Sequence, residues 1–412
     1  MKKIKILKFV PLLVFLTVFA CEDYVTSVDP FIDRVEDAVL DREDQVNFLV
    51  IGVQDAAAFC VDDLFIAADG LSDQLFFTRA VRNATYPTYE QIDLGDILLD
   101  NNSVDAAYTP LHRFRKYADT LIARIDRITF KDESIKKNGL FNAYLYGGLA
   151  RYFSATYFGL TQESGGDAIN RSAIIPSAQL YDLAIEKWKN ALNFAATDAQ
   201  KRLVNSLIAR AYLFKGDYAN AATYAKDGMK NGDAVFDAKY NTLNDNNYRV
   251  QAGELRSQFV LTQRMVDYVT KDPKEANRIP FKKASLATGA TGTFYYQYKY
   301  KLDAGTGLIT GIPLMTWQEN NLMLAELILR GAATGDALAL VNEVRASHQI
   351  DPLTEITLND PSKPSIVEER DKELCFQGVR LPDQRRFGIW HLPGKWQYLP
   401  IPEGERNENP NF

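Results

Sequence analysis

The clearest hydrophobic period in the chain lies between residues 197 and 232. Thr197 and Gln200 have the spacing of a capping box ahead of an apolar run. Leu203, Leu207, Ala211 and Phe214 recur on one helical stripe, with Val204, Ile208 and Tyr212 beside it. Gly216 stands where a left-handed residue closes a helix, and Asp217 is placed to cap the next one. That second helix carries Tyr218, Ala221, Ala222, Ala225 and Met229, and Asn231-Gly232 stops it. One such pair cannot bury its apolar face alone, so further pairs are expected.

The same period recurs elsewhere. It starts near Asp44 with Val46, Val50, Val53 and Ala57, and returns at Leu111, Phe114, Ala118, Leu121, Ile125 and Ile128. It continues through Phe141, Tyr144, Leu145, Tyr152 and Phe153, and then, with Ser177 as cap, through Tyr181, Ile185, Trp188 and Leu192. A later pair holds Leu322, Ala325 and Leu329 on one helix and Ala337, Leu340, Val341 and Val344 on the next, with Gly331 and Gly335 in the turn. Ser365 with Glu368 caps a last helix lined by Ile366, Arg370 and Leu374 and ended by Gly378.

Two stretches lose the helical period. Residues 60–104 are rich in turn chemistry, such as Asp69-Gly70, Ser72-Asp73 and Tyr86-Pro87, yet keep aromatics that argue against disorder. Residues 233–315 are rich in Asn, Gly, Tyr and Thr. Within them 294–301 reads as a short strand, and Gly305, Gly307 and Gly311 mark turns. Long irregular segments of this kind are usually functional. The prolines after Tyr398 predict an extended tail.

The helix pair at 197–232 resembles a tetratricopeptide repeat, with Ala209, Tyr212, Gly216, Tyr218 and Ala221 at its key positions. The expected fold is therefore mainly α: a tetratricopeptide-like helix-pair stack with long irregular loops and minor β structure. The scaffold covers about 105–232 and 316–348, and the loop-rich side about 60–104 and 233–315.

Composition fits a globular chain. Of 412 residues, 46% are hydrophobic and 24% charged, which allows a sizeable core. Residues 1–20 carry Lys2, Lys3, Lys5 and Lys8 ahead of a run from Phe9 to Ala20 that is too short to span a bilayer, which reads as a secretory signal. Val18-Phe19-Ala20-Cys21 resembles a bacterial lipobox, which implies cleavage before Cys21 and acylation of that residue. Glu22-Asp23 resembles the acidic tag that sends some lipoproteins to the cell surface. Residues 21–40 then form a tether, and 41–412 a single domain. Losing a leader with four Lys and no acid takes the formal charge from −6 to −10, which argues against nucleic acid as a partner. Cys60 and Cys375 remain and are read as two independent buried thiols.

Near the C-terminus the chain resembles the SusD/RagB family of outer-membrane nutrient-binding lipoproteins. The residues that carry this are Glu369-Arg370, Glu373-Leu374, Phe376, Gly378, Arg380, Asp383 and Arg385-Arg386. Leu399-Pro400-Ile401-Pro402, Glu405 and Asn409-Pro410-Asn411 look like its closing motif, and Ala325-Glu326 and 341–345 match further back. The resemblance implies a SusD-like α-superhelix that is not an enzyme. Such a protein binds oligosaccharides, or in some members peptides, at the cell surface and delivers them to a SusC-like TonB-dependent transporter in the outer membrane. It also implies that the C-terminal motifs are structural. A repeat-type adaptor that binds only protein is the alternative.

No catalytic constellation stands out. His112, His348 and His391 lack zinc-ligand spacing, and no P-loop, nucleophile elbow or HExxH motif occurs. No cofactor is expected. A sugar ring offers an apolar C–H face and a belt of hydroxyls, so its site needs flat aromatics with polar groups beside them. Two loop segments combine these. The first offers Phe76, Tyr86 and Tyr89 with Asp73, Arg79 and Asn83; the second offers Tyr296, Tyr298 and Trp317. Strand alternation puts Tyr296 and Tyr298 on one face and Tyr295 on the other.

Overall fold

A computed structural model describes residues 37–412. The leader, Cys21 and the tether as far as residue 36 lie outside the described residues. The end of the tether, Asp37–Leu40, forms a 3₁₀ turn, and Arg124 holds both Asp37 and Asp41.

The described residues form fourteen α-helices. They are α1 Val46–Leu71, α2 Pro87–Asp93, α3 Asn102–Ile125, α4 Glu133–Tyr157, α5 Ser177–Leu192, α6 Asp198–Lys215, α7 Tyr218–Lys226 and α8 Asn247–Gln251. After these come α9 Gln263–Lys271, α10 Trp317–Leu329, α11 Ala337–Ser347, α12 Ile366–Glu373, α13 Arg380–Phe387 and α14 Glu403–Glu408. Short strands lie between them: β1 Leu75–Phe77, β2 Phe158–Gly159, β3 Gly166–Asp167, β4 Ile175–Pro176, β5 Phe236–Asn241, β6 Phe259–Leu261, β7 Phe281–Lys283, β8 Tyr295–Gln297, β9 Leu302–Asp303, β10 Leu308–Met315 and β11 Leu399–Pro400. The sheets are small: β1 pairs with β6, β7 with β8, β3 with β4, β2 with β11, and β10 lies between β5 and β9.

The helices stack largely on their neighbours in sequence. α1 packs on α3 and α4, α4 on α5, α5 on α6, α6 on α7, and α10 joins α7 to α11. This is the expected solenoid-like order, in which each unit buries the face of the next. The predicted capping box is present: Thr197 accepts from the Gln200 N–H, and the Gln200 side chain accepts from the Thr197 N–H. Gly216 is left-handed at φ 83°, and Asp217 caps α7. Close approach is visible at α4–α5, where a Cβ on Gly148 would lie 2.4 Å from the indole nitrogen of buried Trp188.

Several expectations are corrected. Residues 60–71 are helical, not irregular, because α1 runs on to Leu71 with nearly every residue buried. A helix enclosed on all sides has no amphipathic stripe to read. The 60–104 stretch also holds α2. α7 stops at Lys226; Met229 follows in a buried loop whose N–H donates to Ser206. Ser177 is the first residue of α5 rather than its cap. Gly311 lies inside β10 at a register shift, not in a turn. α12 is not the last helix, since α13 and α14 follow, so the tail is only partly extended. The thiols of Cys60 and Cys375 are buried and free.

α12 is buried along almost its whole length although it is rich in charge. Glu369 accepts from Arg278 at 2.9 Å and from Arg345 at 2.7 Å. Arg370 donates to Asp383 at 2.8 Å, and Arg386 bridges Asp383 and Glu326. Gln74, just after α1, donates to Asp371 at 2.9 Å and accepts from the Phe376 N–H. Gly378, at φ 72°, donates its N–H to Asp69 near the end of α1, and a Cβ there would meet Phe65 at 2.7 Å. The C-terminal motif is thus a buried clamp.

Two tests follow from this packing. Ala221 is fully buried, and Ala221→Leu is expected to cost about 1–3 kcal/mol by overpacking. An unchanged urea midpoint would contradict that contact. The second concerns Asp69. Burial is the main cause that pushes its carboxyl up to about 7, against the Gly378 N–H and the Tyr248 hydroxyl, which favour the charged form. A raised folded pKa gives a stability term that is fully present below the unfolded value and lost as pH rises through about 7. Relative to Asp69→Asn, the parent protein is therefore expected to lose stability between pH 4 and 7, as read by urea unfolding across that range.

Candidate functional site

The structure disperses part of the first predicted segment. Asp73 is taken up by ion pairs with Arg264 and Arg380, at 2.8 and 2.6 Å. Tyr89 is buried in α2 between Tyr86 and Phe259, with ring centroids 5.9 and 5.0 Å away. Phe76 is half-buried against Phe294. Asn83 is left-handed, and its carbonyl accepts from Gln258 at 2.5 Å. Arg79 pairs with Glu90 and lies over Phe77. Of this set only Tyr86 presents a ring to solvent, and Arg256 stands over it at 5.4 Å.

The second segment is built differently. β7 and β8 pair with Lys282 opposite Tyr296 and Phe281 opposite Gln297. The Gln297 side-chain oxygen accepts from the N–H groups of Lys299 and Tyr300, at 2.9 and 3.0 Å, and turns the chain after β8. Tyr300 then points inward and donates to the Phe376 carbonyl, while Tyr298 is left outside. As alternation requires, Tyr296 and Tyr298 share a face with rings 6.5 Å apart, and Tyr295 packs on Phe281. Trp317 opens α10, where Thr316 accepts from the Glu319 N–H.

Tyr298, just after β8, and Trp317, the first residue of α10 and only 8% exposed, line one cleft of about 440 Å³. Its polar wall includes Asn277, Lys299, Lys301, Gln318, His348, Glu373 and Gln377. This volume lies within the ordinary range for a small-molecule site, roughly 300–1,000 Å³. His348 lies 3.0 Å from one oxygen of Glu373. The other oxygen, Oε2, is buried and accepts no hydrogen bond, with the Arg278 guanidinium 3.6 Å away as its ion-pair partner. Burial would raise the Glu373 pKa, but the His348 hydrogen bond and the charges of His348, Arg278 and Lys299 hold it below its ordinary value. It is therefore a carboxylate at neutral pH. A second cavity of about 380 Å³, between α1, α4 and β5, contains none of the predicted residues.

The arrangement suits recognition: aromatic residues at two positions, polar side chains in the wall, and lysines beside them. Among the described residues no group of His, Cys, Asp and Glu is arranged to hold a metal ion. Sequence reasoning missed Lys282, Lys299, Lys301, His348 and Glu373. The alternation of Lys299 and Lys301 with Tyr298 and Tyr300 was a readable signal; the other contacts come from distant segments.

No protein-family model matches the chain, and no curated protein matches it. Solved structures do. A SusD superfamily protein from Bacteroides thetaiotaomicron superposes with a TM-score of 0.70 at 18% identity, covering 90% of this chain and 98% of that one. The chain has the SusD-like fold. A SusD-like carbohydrate binding protein from Bacteroides vulgatus matches at 0.69 and 13% identity, over 90% of this chain and 97% of that one. Surface glycan-binding protein A from Bacteroides thetaiotaomicron, in complex with laminarihexaose, matches at 0.67 and 15% identity, over 90% and 98%. Among the described residues of this SusD-like chain no helix is long and apolar enough to cross a membrane.

Proposed function

We propose that this chain is a cell-surface lipoprotein that binds an oligosaccharide in the Tyr298–Trp317 cleft and passes it to a SusC-like TonB-dependent transporter. Residues 41–412 act as one binding domain, acylated Cys21 anchors it to the outer membrane, and no catalysis is involved. The observation that carries the reading is the cleft itself, which Tyr298 and Trp317 line together with the polar side chains of Asn277, Gln318 and Gln377. A sugar needs both, a ring for its C–H face and acceptors for its hydroxyls. That a protein of this fold holds laminarihexaose supports the same reading.

Affinity in this setting is modest. Each aromatic contact is worth about 0.5–1.5 kcal/mol. A few contacts with hydrogen bonds give roughly −4 to −8 kcal/mol, millimolar to micromolar binding. That holds a chain end long enough to hand it on.

The test is calorimetric titration against a panel of oligosaccharides and peptides. Tyr298→Ala is expected to weaken binding of the best oligosaccharide by about 2- to 10-fold without moving the melting temperature, and Trp317→Phe, at a largely buried position, to weaken binding less. Binding equal to the parent in both variants would place the ligand elsewhere. For the anchor, Cys21→Ser is expected to shift the protein from the detergent to the aqueous phase and to abolish its co-purification with a β-barrel transporter. A parent protein that already partitions into water would sink the anchor.

A further inference from the structure

The cations around the candidate cleft are unusual in their pairing. Lys282 stands 3.5 Å over the Tyr298 ring, and Lys301 stands 5.7 Å from it. Lys299 donates to the carbonyls of Glu373 and Cys375 and to the Cys375 sulfur. Among the described residues none of these three forms an ion pair with a carboxylate. The acids nearby are already engaged: Glu254 with Arg249 at 2.8 Å, Asp233 with Arg202 at 2.5 Å, and Glu373 with His348. Asp303, near Lys301, accepts the Gly305 N–H in its own turn. The result is a positive patch on a chain whose formal charge is −6.

That grouping bears on which sugars can bind. The face of Tyr298 is covered by an ammonium group, so a neutral pyranose cannot stack there without displacing it. An ammonium on an aromatic face is itself stabilised by the ring, so displacement has a cost with no return from a neutral sugar. A negatively charged substituent changes the balance. It meets lysines that form no ion pair with a carboxylate among the described residues, and so gains an attraction that a neutral sugar does not.

We propose that the ligand of the cleft is an acidic oligosaccharide, recognised through a carboxylate or sulfate group held by Lys282, Lys299 and Lys301. This rests on the glycan-binding reading and deepens it. Tyr298 serves as the platform that holds Lys282 in place, and Trp317, 8% exposed, offers the sugar only a small apolar patch of the cleft wall.

The test uses the full-length protein in detergent on an array of neutral, uronate-containing and sulfated oligosaccharides, with calorimetry on the hits. Oligogalacturonate and its methyl ester differ only in charge. Carrageenan-derived oligosaccharides supply sulfate without carboxylate, so the two sources of anion are separated. The expected result is binding to an acidic series, with its neutral counterpart at least tenfold weaker. Lys282→Gln with Lys301→Gln, both at exposed positions, is expected to remove about tenfold of that affinity. Raising the salt is expected to weaken the acidic series alone. Equal binding of charged and neutral partners, or an unaffected double variant, overturns the acidic assignment and leaves the glycan reading standing. An array with no hit, or capture of an oligoglutamate peptide and no saccharide, overturns both.

Discussion

Burying a charged helix constrains everything around it. α12 enters the core with Glu369, Arg370, Asp371 and Glu373, and each needs a partner brought from elsewhere in the chain. Arg278 comes from the loop side, Arg345 from α11, Asp383 and Arg386 from α13, and Gln74 from the end of α1. Removing one partner from such a set leaves an uncompensated buried charge, at a cost of about 3–5 kcal/mol. The network therefore imposes relative positions on segments that hydrophobic packing alone would leave free to slide.

The cleft inherits its rigidity from that network. Arg278 and Glu373 belong to both, so one wall of the site is the outer layer of the clamp. The other walls come from α10, which is part of the helix stack, and from the β7–β8 hairpin, whose exit turn is set by Gln297. Recognition groups are thus carried by loops but fixed by a scaffold that does not need the ligand to be ordered.

Much of this was legible where local chemistry and tertiary packing agree. The capping box at Thr197, the left-handed Gly216, the cap at Asp217 and the α10–α11 pair stood out because each is set by residues three or four apart. The second half of α1 was not legible, since burial on every side erases the polar stripe that marks a helix. Within the site, alternation predicted that Tyr296 and Tyr298 share a face, and they do. Asp73 and Tyr89 looked like ligand residues only because their partners, Arg380 and Phe259, are remote in sequence.

The sequence by itself determined the periodic helices, their caps, the acidic balance of the chain and the residue types from which a binding site could be made. Those properties are local or additive, so they survive without coordinates. Tertiary structure decided which of those residues remain available. It put Asp73 into ion pairs, closed Tyr89 into the core and joined Tyr298 to Trp317 across one cleft. It also left Lys282, Lys299 and Lys301 without an ion-paired carboxylate among the described residues. Pairing and exposure depend on contacts between segments that are not neighbours along the chain, and no local spacing encodes them.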